Sequence, residues 1–200
     1  HIALPNYPWQ RERFEYASTN ENRGIVRRRR IHPLLGWRVS DAPAIWENVI
    51  DATVCPWLAD HRVADAMVFP GSAYAELALA AALEHFRTSR CEIEGIDIWL
   101  PLAFDGEHSY TLRFELSPRD GAFSVRSRVR LSDEGWTLHA TGRVLELPAA
   151  FKTEGVVIAP ASGESRALPD RERHNALAKR LGLNYGPAFQ RHVTDVRARG

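Results

Sequence analysis

Trp57-Leu58-Ala59-Asp60-His61-Arg62-Val63 leads through Ala64, Asp65 and Ala66 into Met67-Val68-Phe69-Pro70-Gly71, and then into Ser72-Ala73-Tyr74-Ala75-Glu76-Leu77-Ala78-Leu79. From Pro70-Gly71 to about Phe86 the chain reads as one helix, with Ser72 as its expected N-cap. The helix is apolar nearly all round, so burial on most faces is expected. Ala73, Ala75, Ala78, Ala80, Ala81 and Ala82 keep it slim. A slim, buried helix calls for a wall that curves around it.

The wall is legible further along. Tyr110, Leu112, Phe114 and Leu116 alternate with Thr111, Arg113 and Glu115. Phe123, Val125, Val129 and Leu131 alternate with Ser124, Arg126, Arg128 and Arg130. A period of two marks strands with one buried and one wet face. Pro118-Arg119-Asp120-Gly121 and Asp133-Glu134-Gly135 supply the turns, and a third strand is expected over Trp136–Leu147. These three form an antiparallel meander, with earlier strands at Ile45–Val54 and Glu92–Trp99. The fold class is α+β, an antiparallel sheet wrapped around a central helix.

His61 stands shortly before the Pro70-Gly71 that opens the helix. Imidazole is the side chain whose ordinary pKa lies close to neutrality, so it can take a proton at physiological pH. A helix start offers unpaired backbone N–H groups and a positive dipole end, and Gly71 lets a substrate approach the backbone. A carbonyl held there would be polarised, and His61 could remove an acidified proton beside it. Proton abstraction next to a thioester carbonyl is the reaction class this points to. His32 reads as a turn residue, His139 as structural, and Cys55 as core or loop. Asp60 is expected to point away from its neighbour His61.

Composition narrows the rest. The chain has 200 residues, 44 % of them hydrophobic, with a net charge of +1. That charge gives no global attraction to nucleic acid or to an anionic membrane. Cys55 and Cys91 make neither a disulfide framework nor a zinc motif. The apolar run Ala73–Leu83 is too short to span a bilayer, so a cytoplasmic protein is the default expectation. The first residue is not Met, and the chain reads as a piece of a longer polypeptide. Residues 1–31 read as a connector, 149–167 as an interdomain linker, and 168–200 as the start of a further unit with a short helix over Arg171–Leu181 capped at Gly182. A strand is expected to open within Ala188–Val196.

Residues 57–76 resemble the active-site stretch of polyketide synthase dehydratase domains, whose pattern is His, three residues, Gly, four residues, Pro. His61 and Pro70 match it, while Asp65 stands where the family usually has Gly. His32-Pro33-Leu34-Leu35-Gly36 is similar to the family's opening HPLLG, and Tyr185-Gly186-Pro187-Ala188-Phe189 to its YGPxF segment. Leu4-Pro5-Asn6-Tyr7-Pro8-Trp9-Gln10-Arg11-Glu12-Arg13-Phe14 resembles the linker that follows an acyltransferase domain. Four matches occur in the family's order.

The resemblance implies the first half of a double hot-dog fold. Residues 1–31 would be the post-acyltransferase linker, 32–148 the N-terminal hot-dog, 149–167 the inter-hot-dog linker and 168–200 the incomplete start of the C-terminal one. It implies removal of water from a β-hydroxyacyl chain on an acyl carrier protein, giving an α,β-unsaturated thioester. His61 would be the base, and Pro70, Gly71, Tyr185, Gly186 and Pro187 would contact substrate. The acid would be an Asp followed four residues on by Gln or His. Asp195 is followed by Arg199 at that spacing, so the acid is expected outside these residues. No cofactor or metal is expected in the domain itself, the acyl group being carried on phosphopantetheine. Expected partners are the carrier protein, neighbouring acyltransferase and ketoreductase domains, and a second copy in a homodimer. The alternative is a non-catalytic dehydratase-like or product-template-like hot-dog that binds the polyketide chain.

Overall fold

The computed structural model describes residues 30–88, 90–148 and 171–190. Most of the expected connector over 1–31, the expected linker over 149–167 and most of the strand expected within Ala188–Val196 lie outside the described residues. Residues 188–190 form no strand; Gly186–Phe189 is a turn, with the Phe189 N–H donating to the Gly186 carbonyl at 3.0 Å.

The period-two segments become strands as expected. β1 (Trp37–Asp41), β2 (Ala44–Ile50), β5 (Cys91–Ile98), β7 (Tyr110–Leu116), β8 (Ala122–Val129) and β9 (Thr137–Glu146) form one antiparallel sheet in the order β1-β2-β7-β8-β9-β5. The short strands β3 (His61–Val63), β4 (Ala66–Val68), β6 (Ala103–Phe104) and β10 (Leu183–Tyr185) form a second sheet in the order β10-β3-β4-β6. β2 ends at Ile50, short of the expected Val54. Asp51 ends it by accepting the N–H groups of Thr53 and Val54 on Oδ1 at 2.8 and 2.7 Å, an Asx turn that draws the backbone out of the ladder.

The central helix α1 spans Gly71–Phe86. The expected N-cap, Ser72, is inside the first turn. Pro70 occupies the cap position in an extended conformation with no side-chain cap. Its carbonyl accepts the Ala73 N–H at 2.9 Å, and its ring presets the approach to the helix. Burial also differs from the expectation. Ala73, Tyr74, Leu77, Ala78, Ala81 and Ala82 are buried, but they lie on one face, and Leu83 on another is 43 % exposed. The alanines serve close approach to the sheet on that one face.

The sheet's inner side meets the helix with Trp46, Ile50, Leu112, Phe114, Leu116, Phe123, Val125 and Val144, all buried. Phe114 stacks on Phe123 at 5.1 Å and meets Trp46 edge-on at 6.1 Å. Two glycines make the chain crossings fit. Gly36 (φ +78°) and Gly121 (φ +71°) lie so close to the backbone of Glu47 and Val144 that a methyl would collide with it. The helix α2 (Arg171–Arg180) ends as expected before Gly182, whose φ is +79°. Among the described residues no helix is long and apolar enough to cross a membrane.

Ala78 is fully buried, so Ala78→Leu is expected to lower stability by about 1–3 kcal/mol through overpacking. The urea unfolding midpoint checks this.

Candidate functional site

A single 3₁₀ turn, Pro56–Asp60, carries the chain from the large sheet to the small one. Leu58 is fully buried and anchors the turn, and His61 opens β3 at its end. The β3–β4 connection is a two-residue hairpin with Ala64 and Asp65 at its tip. Ala64 carries the left-handed backbone, at φ +52°. Asp65 does not, so the residue standing at the family's glycine position needs no glycine geometry here. The tip is tied from three sides. The Ala64 N–H donates to the Gly182 carbonyl at 2.6 Å. Asn184 Nδ2 donates to the Ala64 carbonyl at 2.7 Å, and Arg62 Nη1 to the Asp65 carbonyl at 2.9 Å.

The hairpin turns the chain back so that the end of β4 faces the start of β3. His61 Nδ1 lies 2.7 Å from the Val68 carbonyl oxygen. A carbonyl oxygen only accepts, so Nδ1 carries a hydrogen, and in the neutral imidazole this leaves Nε2 as the nitrogen with the lone pair. Pro70 and Gly71 follow Val68 by two and three residues and start α1. Gly71 is exposed. A β-carbon there would meet Ile98 Cδ1 at an ordinary 3.7 Å, so packing within these residues does not demand a glycine.

β10 lies antiparallel on the other side of β3, with Tyr185 opposite His61, Asn184 opposite Arg62 and Leu183 opposite Val63. Tyr185 and His61, 124 positions apart in sequence, therefore meet. Their rings stack at 5.3 Å and 25°. Gly186 and Pro187 follow in the turn that ends at Phe189. Phe189 lies 4.9 Å from the imidazole at 58°, and its ring also reaches Trp57, which in turn packs on Phe69. Phe189 was not among the residues expected at the site. Its signal was present as the last letter of the YGPxF segment. A cleft of about 470 Å³ opens between α2 and β10, with Ala59, Arg62, Lys179, Asn184, Tyr185 and Gly186 in its wall. His61 does not line it, so its volume is no measure of the space at the imidazole.

His32 and His139 behave as structural residues. His32 Nδ1 accepts the Leu34 N–H at 3.2 Å, and Nε2 lies 3.1 Å from Glu76 on α1. His139 is buried through an irregularity in the ladder: Val125 pairs with Ala140 and Arg126 with Leu138, leaving His139 as the extra residue. Its Nδ1–H donates to the Leu100 carbonyl at 2.9 Å, and Nε2 accepts from Ser127 Oγ at 2.7 Å. Burial pushes its pKa below the ordinary value, while the bond to Leu100 pulls the other way. Cys55 is buried, which pushes its thiol up and leaves it protonated.

Residues 32–130 match the family model described as polyketide synthase dehydratase domain. The chain is 33 % identical to the spectinabilin polyketide synthase system protein NorA' of Streptomyces orinoci, over 94 % of this chain and 5 % of that protein. The chain thus spans about a twentieth of that relative, and a tenth of a phenolphthiocerol/phthiocerol synthase subunit of Mycobacterium tuberculosis. Among solved structures, the dehydratase domain from the CurF module of curacin polyketide synthase superposes with a TM-score of 0.65 at 21 % identity, covering 80 % of this chain and 59 % of that one. CurJ dehydratase gives 0.66 at 25 % identity, with 81 % and 57 % covered. The first of these speaks to the hot-dog fold alone.

His139 yields a pH prediction with a definite sign. Its folded pKa lies below the ordinary 6.5, so below pH 6.5 the unfolded chain binds a proton that the folded chain refuses. Stability is therefore expected to fall as pH drops below 6.5 and to be indifferent to this group above it. Urea midpoints at pH 7.5 and 5.5 should differ less in His139→Asn than in the parent.

Proposed function

Residues 32–130 belong to the dehydratase domains of polyketide synthases, and from that membership we propose that His61 is the base of a β-hydroxyacyl thioester dehydration site. The observation that carries the reading is the 2.7 Å bond from His61 Nδ1 to the Val68 carbonyl. It fixes the tautomer in which Nε2 is the nitrogen available as a base, on a ring held at the start of a strand. The Tyr185 and Phe189 rings pack on the imidazole, hold its plane and thin the water around it.

The chemistry uses one proton in and one proton out. Nε2 takes the proton from the carbon next to the thioester carbonyl. The electron pair left behind becomes the carbon–carbon double bond as the β carbon–oxygen bond breaks. The hydroxyl leaves as water after accepting a proton from an acid. In this reading the acid is the Asp that the family carries in its second hot-dog. The Gly71 N–H, at the first helical position with no intrahelical acceptor, would take the carbonyl oxygen and steady the charge that gathers there. Pro70, Tyr185, Gly186 and Pro187 would border the acyl chain.

The substrate would arrive on the phosphopantetheine of an acyl carrier protein, so this domain needs no cofactor of its own. The relatives are polyketide synthases. Neighbouring acyltransferase and ketoreductase domains, the boundaries at 31/32, 148/149 and 167/168, and a homodimeric assembly are part of the same proposal. The CurJ dehydratase structure is that of an inactive mutant with phenylalanine in place of a histidine. Inactivity on losing a histidine is what the present reading expects at His61.

His61→Ala in the full-length polypeptide is expected to lower the rate of enoyl thioester formation from a β-hydroxyacyl thioester by about 10²–10⁴, the usual contribution of a general base. The melting temperature should stay near that of the parent. A parental rate would overturn the assignment.

A further inference from the structure

Asp60 precedes His61 directly, yet its carboxyl group faces the other part of the site. Asp60 ends the 3₁₀ turn and His61 begins β3, so their side chains diverge. The backbone and side chain of Asp60 both grip the segment after β10. The Gly186 N–H donates to the Asp60 carbonyl at 2.8 Å, and the Ala188 N–H donates to Asp60 Oδ2 at 2.9 Å across 128 positions of sequence. The other carboxyl oxygen lies directly against Gly186, where any β-carbon would collide with Oδ1, Cγ and Cβ of Asp60. Gly186 is not among the residues with a left-handed backbone. The space taken by Asp60, and not the backbone angle, is the reason this position holds a glycine.

We propose that Asp60 is a positioning residue that clamps the Tyr185–Phe189 segment onto His61, through the Ala188 amide and the close approach to Gly186. The clamp acts at the middle of the turn. On one side of it Tyr185 stacks on the imidazole, and on the other Phe189 meets it at 4.9 Å. The same turn is closed by the Phe189 N–H on the Gly186 carbonyl and by Gln190 Nε2 on the Tyr185 carbonyl. Without the carboxyl acceptor, the Ala188 amide is left to water, and the turn keeps its backbone pairing and ring contacts but loses the side-chain bond at its middle. Asp60 touches neither His61's free nitrogen nor the reacting atoms. Its effect reaches the chemistry through the two rings it seats. This role rests on His61 being the base, but the placement of the rings can be read without any turnover.

The test compares Asp60→Ala, Asp60→Asn and Gly186→Ala in the full polypeptide, using diethyl pyrocarbonate labelling of each histidine followed by peptide mass spectrometry. Asp60→Ala should raise the labelling rate of His61 several-fold and leave buried His139 at the parental rate. Asp60→Asn keeps an oxygen acceptor and should stay near the parent. Gly186→Ala should mimic Asp60→Ala, and the double variant should be no worse than either single one, because both break one clamp. On a carrier-free β-hydroxyacyl thioester, Asp60→Ala should lower kcat by about 10–100-fold, as loss of an orienting partner does elsewhere, with a smaller change in KM. The proposal is overturned if Asp60→Ala leaves His61 labelling unchanged, if His139 labelling rises with it, or if Asp60→Asn is as damaged as Asp60→Ala. If the parent itself does not dehydrate the thioester, the functional reading fails, while the labelling result still decides the clamp.

Discussion

The His61–Val68 hydrogen bond is the constraint on which the candidate site depends. It closes the β3–β4 hairpin around the imidazole, selects the tautomer and engages the Val68 carbonyl, three residues ahead of Gly71. The same seven-residue excursion that brings Val68 back to His61 also delivers Pro70 and Gly71 to the beginning of α1. The imidazole and the helix terminus are thus coupled by covalent geometry.

That economy has a cost at the hairpin tip. Ala64 adopts a left-handed backbone at φ +52°, a conformation that costs a residue with a β-carbon about 1–2 kcal/mol. Gly182, Asn184 and Arg62 hold it there through three hydrogen bonds. Two of the three come from the segment around β10, so the hairpin is completed by chain far away in sequence. The part of the chain that carries His61 and the part that covers it are supports for each other.

The large sheet and α1 form the frame beneath. Alanines at 73, 78, 81 and 82 let the helix lie close to β5 and β9, and the aromatic run Trp46, Phe114 and Phe123 fills the space beyond. Asn48 pins the 32–36 loop by donating to the Pro33 and Leu34 carbonyls at 2.8 Å. Gly36 makes that loop fit against β2. The HPLLG segment therefore has a structural explanation, while the histidine within it pairs with Glu76 and takes no part in the site.

Local pattern alone made the meander and the helix legible, while His61 stood out through its place ahead of Pro70-Gly71 together with the family resemblance of residues 57–76. Alternation, alanine content and the Pro70-Gly71 step are properties of neighbouring residues, and neighbouring residues are what a sequence displays. The pattern misled where an element's surroundings mattered. Ser72 has the chemistry of a cap, but Pro70 already sets the backbone at the helix start. The helix looks apolar all round, but only one face meets the sheet. Phe189, the stacking of Tyr185 on His61 and the hold of Asp60 on Gly186 and Ala188 were decided by the tertiary structure. They depend on β10 pairing with β3 across more than a hundred residues, and no spacing along the chain encodes which strand a three-residue segment will choose.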